Sequence, residues 1–269
     1  MRDARKLVFG LLPAVALAGL AAWSTCRVVG AGAGVPDDAA WTRAEALVRA
    51  EHQPGDLIVF APRWIDPVGR LHLGDLIPLS MAGRLDGDRY GTIWELDIRG
   101  ARAPETRGLA AASVRDVGGV TVRRFVRAPA EVVTDLYDLP PPVTTGLVAR
   151  APARTLAEVG FEPHRCWQVV PSAGQTVTMR WDNVALGSEL VLGAGLADVF
   201  TRRDVRAPAD VIVDVGGREL MRTRVGVDSG WTRVTAPTQP GPATLTIRAA
   251  AIGPRSSDRL VCVALEARR

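Results

Sequence analysis

Three residues that could carry out acid–base chemistry follow a short apolar segment in the first quarter of the chain. The segment is DLIVFAP, residues 56–62, and Asp66, His72 and Asp75 come soon after it. A histidine with two carboxylates can transfer protons in a hydrolysis or bind a metal ion. The spacing matches no metal-binding motif and the chain has only three histidines, so we predict neither a metal site nor a cofactor. A hydrolase with its site at the end of this strand stays one hypothesis.

Arg63 and Trp64 follow the same segment and offer binding rather than catalysis. An exposed tryptophan can stack on a sugar ring, and an arginine donates paired hydrogen bonds to a carboxylate or phosphate. A second basic segment, DVFTRRDVRAP at residues 198–208, suits phosphate, uronate or sulfate. Its candidate binding residues are Arg202, Arg203 and Arg206. The alternative for these arginines is a solvated cluster paired with its own acidic residues.

Several catalytic mechanisms are excluded by composition. Lys6 is the only lysine in the chain, so past the first few residues no lysine can form a Schiff base, act as a general base or hold a phosphate in a P-loop. There is no GxSxG nucleophile elbow and no cysteine–histidine nucleophile pair that is independent of the predicted disulfide. The exclusion of these mechanisms favours a protein that is not an enzyme.

The N-terminal 34 residues predict export. A basic start, MRDARK, precedes an apolar run at residues 7–23, and AGA at residues 31–33 offers small residues to a signal peptidase. The run fits either a cleaved signal peptide or a membrane anchor, with the rest of the chain outside the cytoplasm. Without residues 1–33 the formal charge falls from +4 to +1. We therefore expect a periplasmic protein, tethered to the inner membrane or secreted, that does not bind nucleic acid.

The cysteines fit this location. Cys166 and Cys262 lie in the exported part, where disulfides persist, and we predict that they pair. Two buried free thiols are the alternative. Cys26 follows the apolar run without the small-residue box of a lipidated cysteine.

The sequence divides into two structural classes. Residues 35–137 combine a helix at 36–52 with apolar strands at 56–62, 89–100 and 119–128, which predicts a small three-layer α/β domain. Residues 138–161 are rich in proline and read as a linker. Residues 162–269 contain short strands separated by turn residues, the pattern of a β-sandwich or jelly roll.

Two resemblances to known families accompany these patterns. Residues 37–130, with GDLIVFAPRW, RYGTIWELDIRG and VGGVTVRRFVRA, resemble the small extracytoplasmic α/β domain of GT-C type glycosyltransferases, which use lipid-linked sugars. In that family the catalytic acidic residues lie between membrane helices, so the resemblance implies a detached accessory domain and assigns no catalytic residue here. Residues 162–269, with SGWTRVTAPTQPGPATLTIRA, resemble galactose-binding-like jelly rolls, which often bind carbohydrate.

These observations predict an exported, membrane-tethered, non-catalytic binding or accessory protein in the handling of envelope polysaccharide or glycolipid. A glycan or glycolipid is the expected ligand, and an envelope protein is a possible partner. The alternatives are the hydrolase described above and a structural protein whose sandwich binds another protein.

Overall fold

A computed structural model describes residues 2–32, 35–146, 150–172, 174–198, 207–253 and 259–269. The chain forms two compact units. The first unit comprises residues 1–74 and 93–126, and the second comprises residues 75–92 and 127–269.

The first unit is a four-stranded sheet with helices. Its helices are α1 (Arg2–Gly32), α2 (Asp38–Glu51) and α3 (Asp66–Leu73). Its strands are β1 (Leu57–Ala61), β2 (Thr92–Ile98), β3 (Ser113–Asp116) and β4 (Val120–Val126), in the order β1-β2-β4-β3. β1 and β2 are parallel, whereas β3 and β4 are antiparallel. The arrangement agrees with the predicted mixture of helices and strands, and the finer prediction of three layers stays a prediction.

The predicted N-terminal helix is present as α1. Among the described residues, Pro13–Gly30 is the one helical stretch whose length and composition would let it cross a membrane, and none of it is buried. A signal sequence would have the same properties.

Helix α2 begins where its sequence provides a cap. The Asp37 carboxylate accepts a hydrogen bond of 2.8 Å from the amide of Ala40, which satisfies one of the free N–H groups at the helix start. Trp41, Ala44 and Val48 recur at helical spacing and are buried. This face of α2 therefore supplies part of the core of the first unit.

Strand β1 runs directly into helix α3. Every residue of β1 is buried, and Pro62 follows it through a cis peptide bond. A short 3₁₀ turn at Arg63–Ile65 then leads into α3. On α3, Gly69 lies against the ring of Phe60, where any side chain would overlap the aromatic carbons. The absence of a side chain at Gly69 lets the helix approach the strand.

The second unit is a β-sandwich with one short helix, α4 (Leu79–Ala82). Its strands are β5 (Val132–Asp135), β6 (Val143–Thr145), β7 (Ala153–Val159), β8 (Glu162–Val169), β9 (Thr176–Leu186), β10 (Glu189–Leu196), β11 (Ala209–Val215), β12 (Arg218–Val225), β13 (Thr232–Pro237), β14 (Gly241–Ala251) and β15 (Val261–Arg268). One sheet has the order β13-β10-β15-β8-β7, with β5 also paired to β15, and the other has the order β12-β11-β14-β9-β6.

The core of the sandwich lies between the two sheets. Side chains of β10 in the six-stranded sheet and of β11 in the five-stranded sheet belong to one buried cluster. Along β14, Leu245 and Ile247 are fully buried while Thr246 and Arg248 are only partly buried. This alternation is the one that the sequence predicts for a sheet with one face in the core. At the turn between β11 and β12, Gly216 and Gly217 have φ values of 58° and 83°, which suit glycine in a tight hairpin.

The segment expected to be a linker, residues 138–161, contains two strands of the sandwich. β6 pairs with β9 and β7 pairs with β8. The prolines stand before these strands rather than inside them, so they remove no hydrogen bond from the sheets. A high proline content therefore does not distinguish a linker from edge strands, because proline is compatible with the residues that lead into such a strand.

The boundary of the second unit also differs from the expectation. Residues 75–92, which the sequence places in an α/β domain at 35–137, belong to the second unit together with residues 127–137. They continue along the chain between two parallel strands of the first unit. Strand patterns cannot reveal that this segment joins the second unit, because partners such as Trp231 and Arg268 lie more than a hundred residues away.

The predicted disulfide is confirmed. Cys166 on β8 is bonded to Cys262 on β15, with 5.4 Å between their Cα atoms. The two strands are neighbours in the six-stranded sheet. Cys26 is a free, exposed thiol.

Candidate functional site

The acid–base candidates near β1 have partners within the first unit. His72 Nδ1 lies 3.2 Å from Glu45, and His72 Nε2 lies 3.4 Å from Asp38. Asp66 forms an ion pair with Arg70 one helical turn later. A hydrogen bond from Arg49, assisted by His72, keeps the pKa of Glu45 below its usual value despite the opposing effect of burial. These contacts join α2 to α3.

The remaining candidates are distributed over the chain. Asp75 lies in a 3₁₀ turn at Gly74–Leu76 and belongs to the second unit. Arg63 and Trp64 lie in the turn after β1, and 61% of the Trp64 surface is exposed. Arg202, Arg203 and Arg206 lie outside the described residues. Among the described residues, no group of three His, Cys, Asp or Glu side chains could hold a metal ion.

A buried acidic pair in β2 was not anticipated. Glu95 and Asp97 are fully buried. Glu95 accepts hydrogen bonds from the amide of Ala103 at 2.8 Å and from the hydroxyl of Thr106. Arg123 donates to both carboxylates. Since the pair is inaccessible to solvent and bonded to neighbouring elements, we assign it a structural role.

The second unit presents a different kind of surface where residues 75–92 cover one sheet of the sandwich. Leu85 packs with Val191 and Ala264 on the outer face of the six-stranded sheet. The Trp231 indole donates a hydrogen bond of 3.0 Å to the Leu85 carbonyl, and its ring stacks on His164 at 3.9 Å. These contacts attach the segment firmly to the sheet.

A buried charge network reinforces this attachment. Arg268 is 2% exposed and donates to both oxygens of Asp86 at 3.0 and 2.9 Å. Asp86 also accepts from Arg233 at 2.7 Å. Burial raises the pKa of Asp86, but the hydrogen bond and charge of Arg268 outweigh this effect, and the net pKa is lowered. Asp86 is therefore held as an anion by two arginines.

Glu266 is the second buried carboxylate that contacts Arg268. It is almost fully buried and lies 2.6 Å from Arg268 and 3.3 Å from Arg89. Burial raises its pKa above the usual value, although both arginines oppose the shift. Asp135 faces Glu266 across β5 and β15, and Arg89 reaches it at 3.5 Å. One guanidinium thus bridges two carboxylates.

These side chains border a small, shallow polar depression within the second unit. Its lining residues are Ser80, Gly83, Arg84, Leu85, Arg89, Asp135, Tyr137, Arg165, Ala264 and Glu266. On one wall the Arg165 guanidinium lies 4.1 Å above the Tyr137 ring and 3.2 Å from Asp138. We call this feature the polar depression.

The polar depression combines three kinds of group. Three arginines supply hydrogen-bond donors, two carboxylates supply acceptors, and Tyr137 supplies a hydroxyl and part of a ring. With all five charged, the lining carries one net positive charge. Such a set can bond several hydroxyls of one sugar ring and favours a ligand that also carries a negative group.

The sequence contains a signal for this site. In β15, which reads VCVALEAR, Glu266 and Arg268 share the face of Cys262 and Ala264. Two charges on a face that otherwise carries small apolar residues indicate a specific polar contact with another segment. Their partners, Asp86 and Arg89, cannot be identified from spacing because they lie about 180 residues earlier.

No protein-family model and no curated protein sequence matches the chain. The CBM51-2 and INT domains of ZmpB from Clostridium perfringens match with 13% identity and a TM-score of 0.35, over 61% of this chain and 41% of that chain. The tandem CBM51 modules of a family 98 glycoside hydrolase from Streptococcus pneumoniae match with 11% identity and a TM-score of 0.37, over 57% of each chain. CBM51 from Clostridium perfringens GH95, in complex with methyl-galactose, matches with 13% identity and a TM-score of 0.34, over 49% of this chain and 99% of that chain.

The chain spans less than half the length of the ZmpB structure. The three neighbours are carbohydrate-binding modules, but TM-scores in this range do not establish a shared fold. The description of the second unit as a β-sandwich therefore rests on its own strands. The resemblance of residues 37–130 to a glycosyltransferase domain has no support among these neighbours and stays a prediction.

Proposed function

We propose that this protein is an exported, membrane-tethered, non-catalytic saccharide-binding protein that takes part in the handling of envelope polysaccharide or glycolipid. The polar depression of the second unit carries this proposal. Its donors and acceptors are held by packing and ion pairs, and an ordered set of polar groups loses little conformational entropy when a ligand binds.

The lining supports a saccharide rather than an apolar ligand. Arg89 and Arg165 are only partly buried, so their guanidinium groups can meet ligand oxygens. Tyr137 lines the depression beside them. Because the lining has one positive charge in excess, we expect preference for a saccharide that carries a carboxylate, phosphate or sulfate.

The bonding of the acid–base candidates favours binding over hydrolysis. His72 has a carboxylate near each ring nitrogen, and Asp66 is engaged by Arg70. A hydrolase would need these groups to meet a substrate and a water molecule instead. The hydrolase and the protein-binding module stay as alternatives without a specific supporting contact.

A glycan array tests the proposal directly. Detergent-solubilised full-length protein is applied to an array of acidic and neutral glycans, in parallel with Arg165→Gln and Arg222→Gln. Arg165 lines the polar depression, whereas Arg222 is an exposed arginine paired with Glu219 on the other sheet. We expect binding to acidic glycans that Arg165→Gln loses and Arg222→Gln keeps. Reproducible absence of binding to every glycan would contradict the proposal.

A further inference from the structure

Helix α3 and the 3₁₀ turn before it carry a row of exposed apolar side chains that the polar depression does not involve. Trp64, Val68 and Leu71 follow one another at spacings of four and three residues, so they lie on one side of the helical segment. Their exposed fractions are 61%, 39% and 84%. We call these three residues the apolar ridge.

The apolar ridge is separate from the face of α3 that packs in the core. Ile65, Gly69 and Leu73 are buried and supply that inner face. A helix in a soluble domain normally has polar residues on the side away from its core. The helix thus has a second apolar side that no described part of the first unit covers.

The start of the first unit places the ridge near the exit of the N-terminal helix. The His72 ring, in the last turn of α3, lies 3.4 Å from Asp38, the first residue of α2. Only five residues lie between Gly32, at the end of α1, and Asp38. A chain of this length spans at most about 20 Å. With α1 anchored in a membrane, this span limits how far Asp38, and the end of α3 that contacts it, can lie from the end of α1.

The composition of the segment matches an interfacial helix. Tryptophan is enriched at the boundary between lipid and water, where its ring is partly buried and its N–H is solvated. At about 100° per residue, Arg63 and Arg70 lie together on one flank of the ridge. Asp66 pairs with Arg70, and the two arginines flank the ridge at the depth where anionic headgroups would lie.

We propose that the apolar ridge docks on the phospholipid surface of the membrane that anchors α1. Trp64 would then contact lipid rather than stack on a glycan, and the first unit would lie against the membrane with a fixed face. This inference rests on the membrane tether of the proposed function. It does not depend on the polar depression.

Fluorescent labelling of the full-length protein tests the inference. In a Cys26→Ser background, Leu71→Cys is labelled with an environment-sensitive nitrobenzoxadiazole dye and reconstituted into phosphatidylethanolamine–phosphatidylglycerol vesicles. Val114→Cys is the matched control because Val114 is an exposed apolar residue, 57% exposed, on β3 of the same unit. Quenching is measured with nitroxide-bearing lipids and with aqueous iodide.

We expect a blue-shifted emission at position 71, with quenching by nitroxide lipids and protection from iodide. Position 114 should show the opposite pattern. Adding Trp64→Ser and Val68→Ser to the labelled protein should remove the blue shift at position 71, because the other two contacts of the ridge are lost.

Flotation of the vesicles separates the two ways in which the inference can fail. Protein that floats with the vesicles but shows equal iodide quenching at both positions would refute docking and leave the tether intact. Protein that does not float would refute the tether and docking together. Glycan binding that Trp64→Ser abolishes, with position 71 open to iodide, would assign the ridge to a glycan instead.

Discussion

Removing the Asp86 carboxylate should unfold the second unit at a much lower urea concentration. Asp86 accepts two hydrogen bonds from Arg268 and one from Arg233. In Asp86→Ala, the nearly inaccessible Arg268 guanidinium loses both hydrogen bonds to Asp86 and keeps two carboxylates, Glu266 at 2.6 Å and Asp88 at 3.6 Å. Breaking a buried ion pair by removing one partner costs about 3–5 kcal/mol. That is a large part of the typical stability of a domain, about 5–15 kcal/mol.

Urea unfolding, followed by tryptophan fluorescence, measures this cost. At a urea dependence of about 1–3 kcal/mol/M, the expected loss lowers the midpoint by on the order of 2 M. The matched control is Asp182→Ala, which also removes the carboxylate of an aspartate–arginine ion pair. This pair lies at the surface, since Asp182 and Arg180 are both half exposed. The control should leave the midpoint almost unchanged.

A double variant separates loss of the pair from loss of packing. In Asp86→Ala/Arg268→Met the buried guanidinium that lost its paired hydrogen bonds is also removed, and Glu266 keeps Arg89 at 3.3 Å. We therefore expect the double variant to be more stable than Asp86→Ala alone. A loss in Asp86→Ala below about 1 kcal/mol, the value of an exposed pair, would refute the reasoning that this network holds residues 75–92 on the sheet.

The same carboxylate predicts the direction of a pH effect. The pKa of Asp86 is lowered in the folded protein from a usual value of 3.8. A lowered carboxylate pKa stabilises the folded state above the usual pKa, and the contribution is lost as the pH falls through the folded value. The stability advantage of the protein over Asp86→Asn should therefore shrink below about pH 4. An advantage that stays constant down to pH 2 would contradict this assignment.

Two further changes test the packing described above by urea unfolding. The pair Cys166→Ala/Cys262→Ala removes a link across 96 residues and should cost about 2–5 kcal/mol, whereas an unchanged midpoint would show that the link adds no stability. Gly69→Ala forces a methyl group into the Phe60 ring and should destabilise the first unit by about 1–3 kcal/mol; a neutral result would mean that α3 can move away from β1.

Local patterns predicted much of the fold. The alternation in β14, the paired glycines after β11 and the apolar run of β1 each identify an element from neighbouring residues alone. The disulfide followed from the export segment and from two cysteines on strands expected to be neighbours. In each case the deciding interaction is local or is restricted by covalent chemistry.

The candidate site could not be predicted in the same way. Glu266 and Arg268 are visible as charges in an apolar strand, but their partners Asp86 and Arg89 lie in a segment that the sequence assigns to another domain. Similarly, the sequence makes Trp64 a candidate for an exposed aromatic platform, yet its relation to Leu71 depends on α3 starting directly after the turn at Arg63–Ile65. Long-range pairing and exact element boundaries are the information that local patterns lack.

Titration of an array-identified acidic saccharide into the protein and into Arg165→Gln tests the central claim most directly. Arg165 lines the polar depression beside Tyr137, and a hydrogen bond to a charged group contributes about 1.5–3 kcal/mol. We predict that calorimetry will show affinity reduced by about 10- to 100-fold in Arg165→Gln, with the affinity of Arg222→Gln unchanged. Equal affinity for the protein and Arg165→Gln would contradict binding in the polar depression.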